Sequence, residues 1–300
     1  MLKKKSSAVY EILLGRLADL PTLPDIIYEL NRQFQKQNEL SPEDIAHLVA
    51  LDPSLSMQVF KLANSPKLRR QQGPQTHLLG AIQSVGPDMI RNMLLSTSII
   101  MTNGAPGENE FRVDAFWRHC VGVAVASETL AVWVGEKRSQ LCMLAGLLHD
   151  VGKTVLYTID RQDFLATSQY AFRNNLSFER AETQLGMASH AHWGYILAKK
   201  WGLPIEVQQA IRFHHEHRAD HRQGIPKDNQ PIVDIVFLAN LLIHAMNFGN
   251  SGYNQAPGVR RELLQRLNLN EEDLRGLVGV IHRNLSRAEN FLKIIQDSAA

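Results

Sequence analysis

Apolar residues recur at three- and four-residue steps along the chain, and no convincing two-residue alternation interrupts them. That spacing puts one stripe of side chains on one face of an α-helix, whereas a half-buried strand needs alternation. Val9, Ile12, Leu13, Leu17 and Leu20 set the step, and Ile26, Ile27, Leu30 and Phe34 repeat it. Helix starts and stops agree with the pattern. Ser41-Pro42-Glu43-Asp44 offers an N-cap, a first-turn proline and two acidic residues, and Ile45, Leu48, Val49 and Leu51 follow on one face. Asp52-Pro53 repeats the start signal for a helix carrying Val59, Leu62 and Ala63, which Asn64-Ser65-Pro66 stops. Further helices are predicted over 78–85, ended by Gly86-Pro87, and over 88–100. Asn270 with Glu271, Glu272 and Asp273 caps a last long helix. The expectation is an all-α, multi-helix bundle with no significant sheet.

The segment TNGAPGENE at 102–110 is rich in Gly and Pro and reads as a linker. It divides the chain into 1–101 and 111–300. The polar stretches 217–231 and 248–258 read as loops. With 300 residues, 44% hydrophobic and 21% charged, the chain can bury a core without covalent staples. Cys120 and Cys142 sit in apolar runs and read as reduced core residues. A net charge of +2 gives no bulk argument for a nucleic-acid or membrane partner, and no basic stripe or helix-turn-helix signature stands out. Lys3-Lys4-Lys5 reads as a solvated end. The start MLKKKSSAVYEIL lacks the apolar core of a secretory signal, and no uncharged apolar run reaches about 18 residues, so the expected compartment is the cytoplasm.

The chain has 12 histidines, a high number for its length. His119, the pair His149-Asp150, His190 and the pair His214-His215 each sit in or beside a helical pattern. His149-Asp150 closes the apolar run 143–148 and precedes what reads as a turn at Val151-Gly152. Neutral imidazole is a good ligand for Zn, Fe, Mn and Ni, and a carboxylate can bridge two ions. Helices are rigid arms that can gather ligands distant in sequence, and adjacent ligands at a helix end point in different directions. Taken singly, a histidine on an apolar face is usually a hydrogen-bonded core residue. The spacing matches no compact zinc signature. The residues alone therefore reach a helical protein with an unusual histidine set.

The order of that set resembles the HD superfamily of metal-dependent phosphohydrolases. The match is closest at AGLLHDVGK (145–153), which is also similar to the HD-GYP cyclic-dinucleotide phosphodiesterases; HAHWGYILAKKWGLP (190–204) and AIRFHH (210–215) look like the later half of such domains. LPTLP (20–24), LDPSLSMQVFKLANSP (51–66) and AIQSVG (81–86) resemble the HDOD pattern, an HD-related output domain preceded by extra helices. The resemblance spans roughly 10–250. It implies an all-helical protein of bacterial signalling, in a family many of whose members have lost HD catalytic residues.

By motif, His119, His149, Asp150, His190, His214 and His215 fall on ligand positions of binuclear HD domains. The resemblance thus implies one or two divalent transition-metal ions (Fe, Zn, Mn or Ni) in a pocket between helices of 111–250. Where catalytic HD domains place a closing Asp, this chain has Asn240, which can ligate but carries no charge. That leaves Asp150 as the one ligand carboxylate and favours nitrogen-loving ions. Asp234 lies six residues earlier, off the ligand face. As catalytic residues the resemblance implies Asp150, positioning a metal-activated water, and Lys153, reaching phosphate oxygens. A solvated helix-end lysine is the alternative reading of Lys153.

The GYP signature is absent, and Gly224-Ile225-Pro226 reads as a loop turn. Arg118 reads as a surface residue, His192 as facing away from His190, His217 and His221 as solvent-exposed, and Trp193 and Trp201 as core. Two functions fit. One is a regulatory HDOD protein with weak or no hydrolase activity, binding signalling proteins or a phosphorylated small molecule. The other is a metal-dependent phosphohydrolase, a phosphodiesterase or nucleotidase.

Overall fold

A computed structural model describes residues 41–50, 56–57, 59–60, 63–64, 74–86, 113–187, 189–200, 203–252 and 258–297. Among these the regular structure is α-helix with two short 3-10 turns, and no strand occurs. The helices expected within 9–34 and 88–100, the linker 102–110, the basic start and Trp201 lie outside the described residues.

Helix α1, Pro42–Ala50, begins where the sequence signals it should. The Ser41 hydroxyl accepts the Asp44 N–H at 3.1 Å, and the Asp44 carboxylate accepts the Ser41 N–H at 3.2 Å. This reciprocal capping satisfies two amides that the first turn leaves without partners. Helix α2, Leu78–Val85, ends at Gly86, whose φ of 84° suits glycine.

The remaining helices build the body around the candidate site. Helices α3, Val113–Val134, and α4, Ser139–Leu148, pack together as a hairpin. Helix α5, Val151–Ile159, follows α4 after a two-residue turn. Helices α6, Arg161–Arg173, and α7, Phe178–Leu185, pack against each other. Helix α8, His190–Lys200, lies between α5 and α9, Ile205–Phe213, while α9 also meets α4 and α10, Gln230–Ala245. Helix α10 covers both α3 and α4. Helix α11, Arg261–Arg266, packs on α10, and α12, Glu271–Asp297, runs along α3. The Asn270 side chain accepts the N–H groups of Glu272 and Asp273 at 2.8 and 2.9 Å, the cap its sequence signals.

Val123, Leu130, Leu147, Leu148, Val155, Ile211 and Leu238 are fully buried between these helices. Each such side chain stabilises the fold by about 1.5–3 kcal/mol relative to exposure. Cys120 and Cys142 are buried and unbridged, as expected.

One boundary corrects the sequence reading. The chain turns at His149-Asp150 themselves, and Val151-Gly152 already belongs to α5. Gly152 is there for close approach: a Cβ at that position would collide with the carbonyl oxygen of His190. The missing side chain lets α5 press against the start of α8, which brings Asp150 to His190.

A second buried carboxylate holds the far side. Asp234 accepts Arg222 Nη2 at 2.8 Å and Arg266 Nε and Nη2 at 2.7 and 2.8 Å. Arg222 also donates to the Glu216 carbonyl at 2.9 and 2.7 Å, so the clamp ties the loop after α9 to α10 and α11. Among the described residues no helix is long and apolar enough to cross a membrane.

Candidate metal centre

Asp150 sits at the junction of α4 and α5 with no exposed surface. Its carboxylate is not used to cap α5. Oδ1 lies 3.1 Å from His190 Nε2 and 3.3 Å from His214 Nε2. Oδ2 lies 3.3 Å from His149 Nε2 and 2.7 Å from Lys153 Nζ. His190 Nε2 is in turn 2.9 Å from His215 Nε2 and 3.4 Å from His214 Nε2.

The rear nitrogens explain why the Nε2 atoms face inward. His149 and His214 are each the C-cap of their helix. Each uses Nδ1 to donate to the carbonyl three residues back, Gly146 and Ile211, both at 2.7 Å. A proton on Nδ1 leaves the Nε2 lone pair free to ligate. His190 has a different support. Its Nδ1 donates to Glu182 Oε2 at 2.8 Å, and its backbone N–H donates to Oε1 of the same carboxylate at 2.8 Å. Glu182 is itself buried on α7.

His119, from α3, is fully buried, and neither ring nitrogen has a hydrogen-bond partner. Its ring lies 5.4 Å from that of His149 and 4.3 Å from that of His244. Asn240 is buried one turn before His244 on α10, and its Oδ1 has no hydrogen-bond partner. Residues four apart share a helix face, so Asn240 and His244 look the same way.

Two overlapping donor groups result. Asp150, His190, His214 and His215 have donor atoms within 4.8 Å of one another, and so do His119, His149 and Asp150. Metal–ligand bonds of about 2.0–2.2 Å put neighbouring ligand atoms about 3.0–3.5 Å apart. The contacts of 2.9–3.4 Å around Asp150 Oδ1 fit that spacing. Oδ1 faces the His214 lone pair and the His190 nitrogen, whose proton a cation can displace, so the arrangement is one that a cation fits.

Burial lowers the His214 pKa to about 4 and that of His244 to about 3, and holds those of His119 and His215 well below the ordinary range. These rings are therefore in their ligating, neutral form at neutral pH. His190 is the exception. Burial pushes it down, but Glu182 and the Asp150 hydrogen bond outweigh burial and raise it to about 9. Asp150 is pushed up by burial, yet Lys153 and His149 together hold it well below the usual carboxylate range. His119, His149, Asp150, His190 and His214 are at most 1% exposed, and His215 is half-buried, so water meets the group at His215.

The structure thus gathers all six histidine and aspartate positions singled out in the sequence. It places Asn240 on the helix that carries His244. It corrects the solvated reading of Lys153, which is fully buried and donates to Asp150 and to the Ser251 carbonyl, both at 2.7 Å. Asp234 stands apart in its arginine clamp. His192 and His221 are exposed, while His217 is half-buried beside Glu216. Gly224, with φ of 77°, marks a plain turn. Trp193 is buried, and the exposed Arg118 lies over the Phe248 ring.

Sequence reasoning missed Glu182, His244 and Ser251. Glu182 carried a signal, because it falls four residues after Phe178 on the buried stripe of α7. His244 carried one too, four residues after Asn240 in an otherwise apolar helix. Ser251 contributes a backbone carbonyl, which no side-chain pattern encodes.

The family profile of the HDOD domain matches residues 20–217. The chain belongs to the HDOD domain family. Its fold is similar to that of the MmoQ response regulator from Methylococcus capsulatus, with a TM-score of 0.68, 20% identity, and coverage of 87% of this chain and 98% of that one. An HDOD domain protein of unknown function from Geobacter sulfurreducens matches with a TM-score of 0.52 and 23% identity over 98% of this chain and 97% of that one. Among curated proteins, an uncharacterized protein of Treponema pallidum is 24% identical over 86% of this chain. This HDOD chain spans 48% of that relative's length.

Proposed function

We propose that this HDOD protein is a bacterial signal-transduction module whose histidine–aspartate centre holds divalent transition metal with weak or no hydrolytic turnover. The observation that carries the reading is the donor set: one carboxylate, Asp150, amid imidazoles that are closed to water except at His215. Histidines supply affinity without charge, which suits Fe, Zn, Mn or Ni bound through nitrogen. A bound ion would supply Lewis acidity at the centre. Catalytic hydrolysis asks further for an open coordination position and fixed partners for the attacking water. Asn240 brings no charge where HD phosphohydrolases have a carboxylate. The fold shared with the MmoQ response regulator supports the signalling side, and on this reading the partners are signalling proteins or a phosphorylated small molecule.

The experiment is metal analysis of the purified chain together with a panel of phosphodiester and nucleotide substrates. The expected result is bound transition metal with turnover near background. Asn240→Asp should then bind metal more tightly and gain phosphohydrolase activity. The phosphohydrolase reading rests on the intact histidines and on Lys153. Robust wild-type turnover, abolished by Asp150→Asn and not raised by Asn240→Asp, would establish it instead.

A further inference from the structure

We propose that the Lys153 ammonium takes the place of a second ion, so that the centre holds one divalent metal, on His190, His214, His215 and Asp150 Oδ1. The proposal rests on the metal-binding reading above and goes beyond it in fixing how many ions bind and where. The two donor groups share one carboxylate, and its two oxygens have different company. Oδ1 faces imidazole nitrogens, which exchange a proton for a metal. Oδ2 already accepts a fixed cation at 2.7 Å.

Lys153 is not a side chain that can swing aside. It is fully buried, and Nζ also donates to the Ser251 carbonyl at 2.7 Å. Ser251 belongs to a turn in which Asn247, Gly249 and Gly252 all have positive φ, at 52°, 75° and 92°. That turn is fastened to α3: the Asn250 N–H donates to the Ala115 carbonyl at 2.8 Å, and Gly249 packs so closely on the His119 backbone that a Cβ would collide with it. Releasing Lys153 from Asp150 would mean leaving its charge unpaired in the interior or lifting the turn.

A dication on Oδ2, with a bond of about 2 Å, would stand no more than about 5 Å from that ammonium on the same oxygen. Away from water such like charges repel strongly. With one ion, Lys153, Asp150 and Glu182 leave the centre a single net positive charge, whereas a second ion would leave three. The carboxylate that would offset the difference is replaced by Asn240. Nor does His119 turn to Asp150 alone, since its ring lies closest to His244.

The test uses the 300-residue chain incubated with excess Zn²⁺, freed of unbound metal, and analysed for ions per chain. Wild type should hold about one. His119→Ala should keep that ion with an affinity within about twofold of wild type, while His190→Ala should lose it. Lys153→Met, freeing Oδ2, should rise to about two. Two ions in the wild type, or loss of an ion in His119→Ala, would overturn the proposal, and so would Lys153→Met staying at one. If Lys153→Met does not fold, the wild-type and His119→Ala values still decide. A wild-type chain that takes up no Zn²⁺, Fe²⁺, Mn²⁺ or Ni²⁺ would instead remove the metal-binding reading, and this proposal with it.

Discussion

Asp150 and Asp234 are equally buried and surrounded by opposite chemistry. Asp234 is clamped by two guanidinium groups that stay charged at every accessible pH. Its oxygens are satisfied, and the clamp does one thing, which is to hold a loop and two helices together. Asp150 meets imidazoles and one ammonium. Imidazole can carry a proton, donate one, or offer a lone pair, so the surroundings of Asp150 can change state without the fold changing. Arginine closes a buried carboxylate, and histidine leaves it open to exchange.

The comparison breaks most visibly in stability. Asp234→Ala leaves Arg222 charged and buried, and should lower the unfolding free energy by about 3–5 kcal/mol in chemical denaturation. Metal bound per folded chain should not change. A variant that loses metal in proportion to stability would show that the two centres are not independent.

His190→Ala is the counterpart. It removes the imidazole central to the Oδ1 group and should weaken metal binding by more than about 100-fold in a chelator competition. Glu182→Gln keeps the shape of the support for His190 and removes its charge. Partners of this kind are typically worth about 10–100-fold in affinity, and the lower end is expected here. If Glu182→Gln binds metal as wild type does, the Glu182–His190 pair serves packing alone.

The smallest effect is a pH profile of the metal-free protein. Imidazole titrates near 6.5 in the unfolded chain. His214 and His244 titrate at about 4 and about 3 in the folded one. As pH falls from 6.5 toward those values the unfolded chain takes up protons that the folded chain refuses, so stability drops. His190, at about 9, works the other way. Its contribution is complete below pH 6.5 and is lost as pH rises through 9. Urea midpoints of the metal-free protein should therefore peak near pH 6.5 and decline on both sides. An Asp234→Asn variant should shift the curve down and keep its shape, because arginines do not titrate there.

Legibility from sequence divided along physical lines. The starts of α1 and α12 and the end of α2 could be read from local chemistry, because a cap is satisfied within four residues of chain. The all-α class followed from periodicity. The histidine set was legible as an ordered motif, yet nothing in its spacing said that His149 and His214 would turn Nδ1 back onto their own helices. The start of α5 was misread because Gly152 looks like a turn residue, and its reason, the carbonyl of His190, lies 38 residues on in the chain. Lys153 shows the same limit. Its sequence left a phosphate-contacting and a solvated reading both open, and neither foresaw the Ser251 carbonyl, 98 residues away, folded over it.

The closure of the histidine group around Asp150 also sets a clock. Of the four ligands proposed for the ion, Asp150, His190 and His214 are buried, and His215 is partly open to solvent. A chelator would meet that shell at His215 and not at the three buried ligands behind it, so metal would leave only as fast as those ligands come free. Release into EDTA should then reach a rate that no longer increases with EDTA concentration. On such a centre, occupancy would record past metal supply over the lifetime of that release, instead of following each change in concentration.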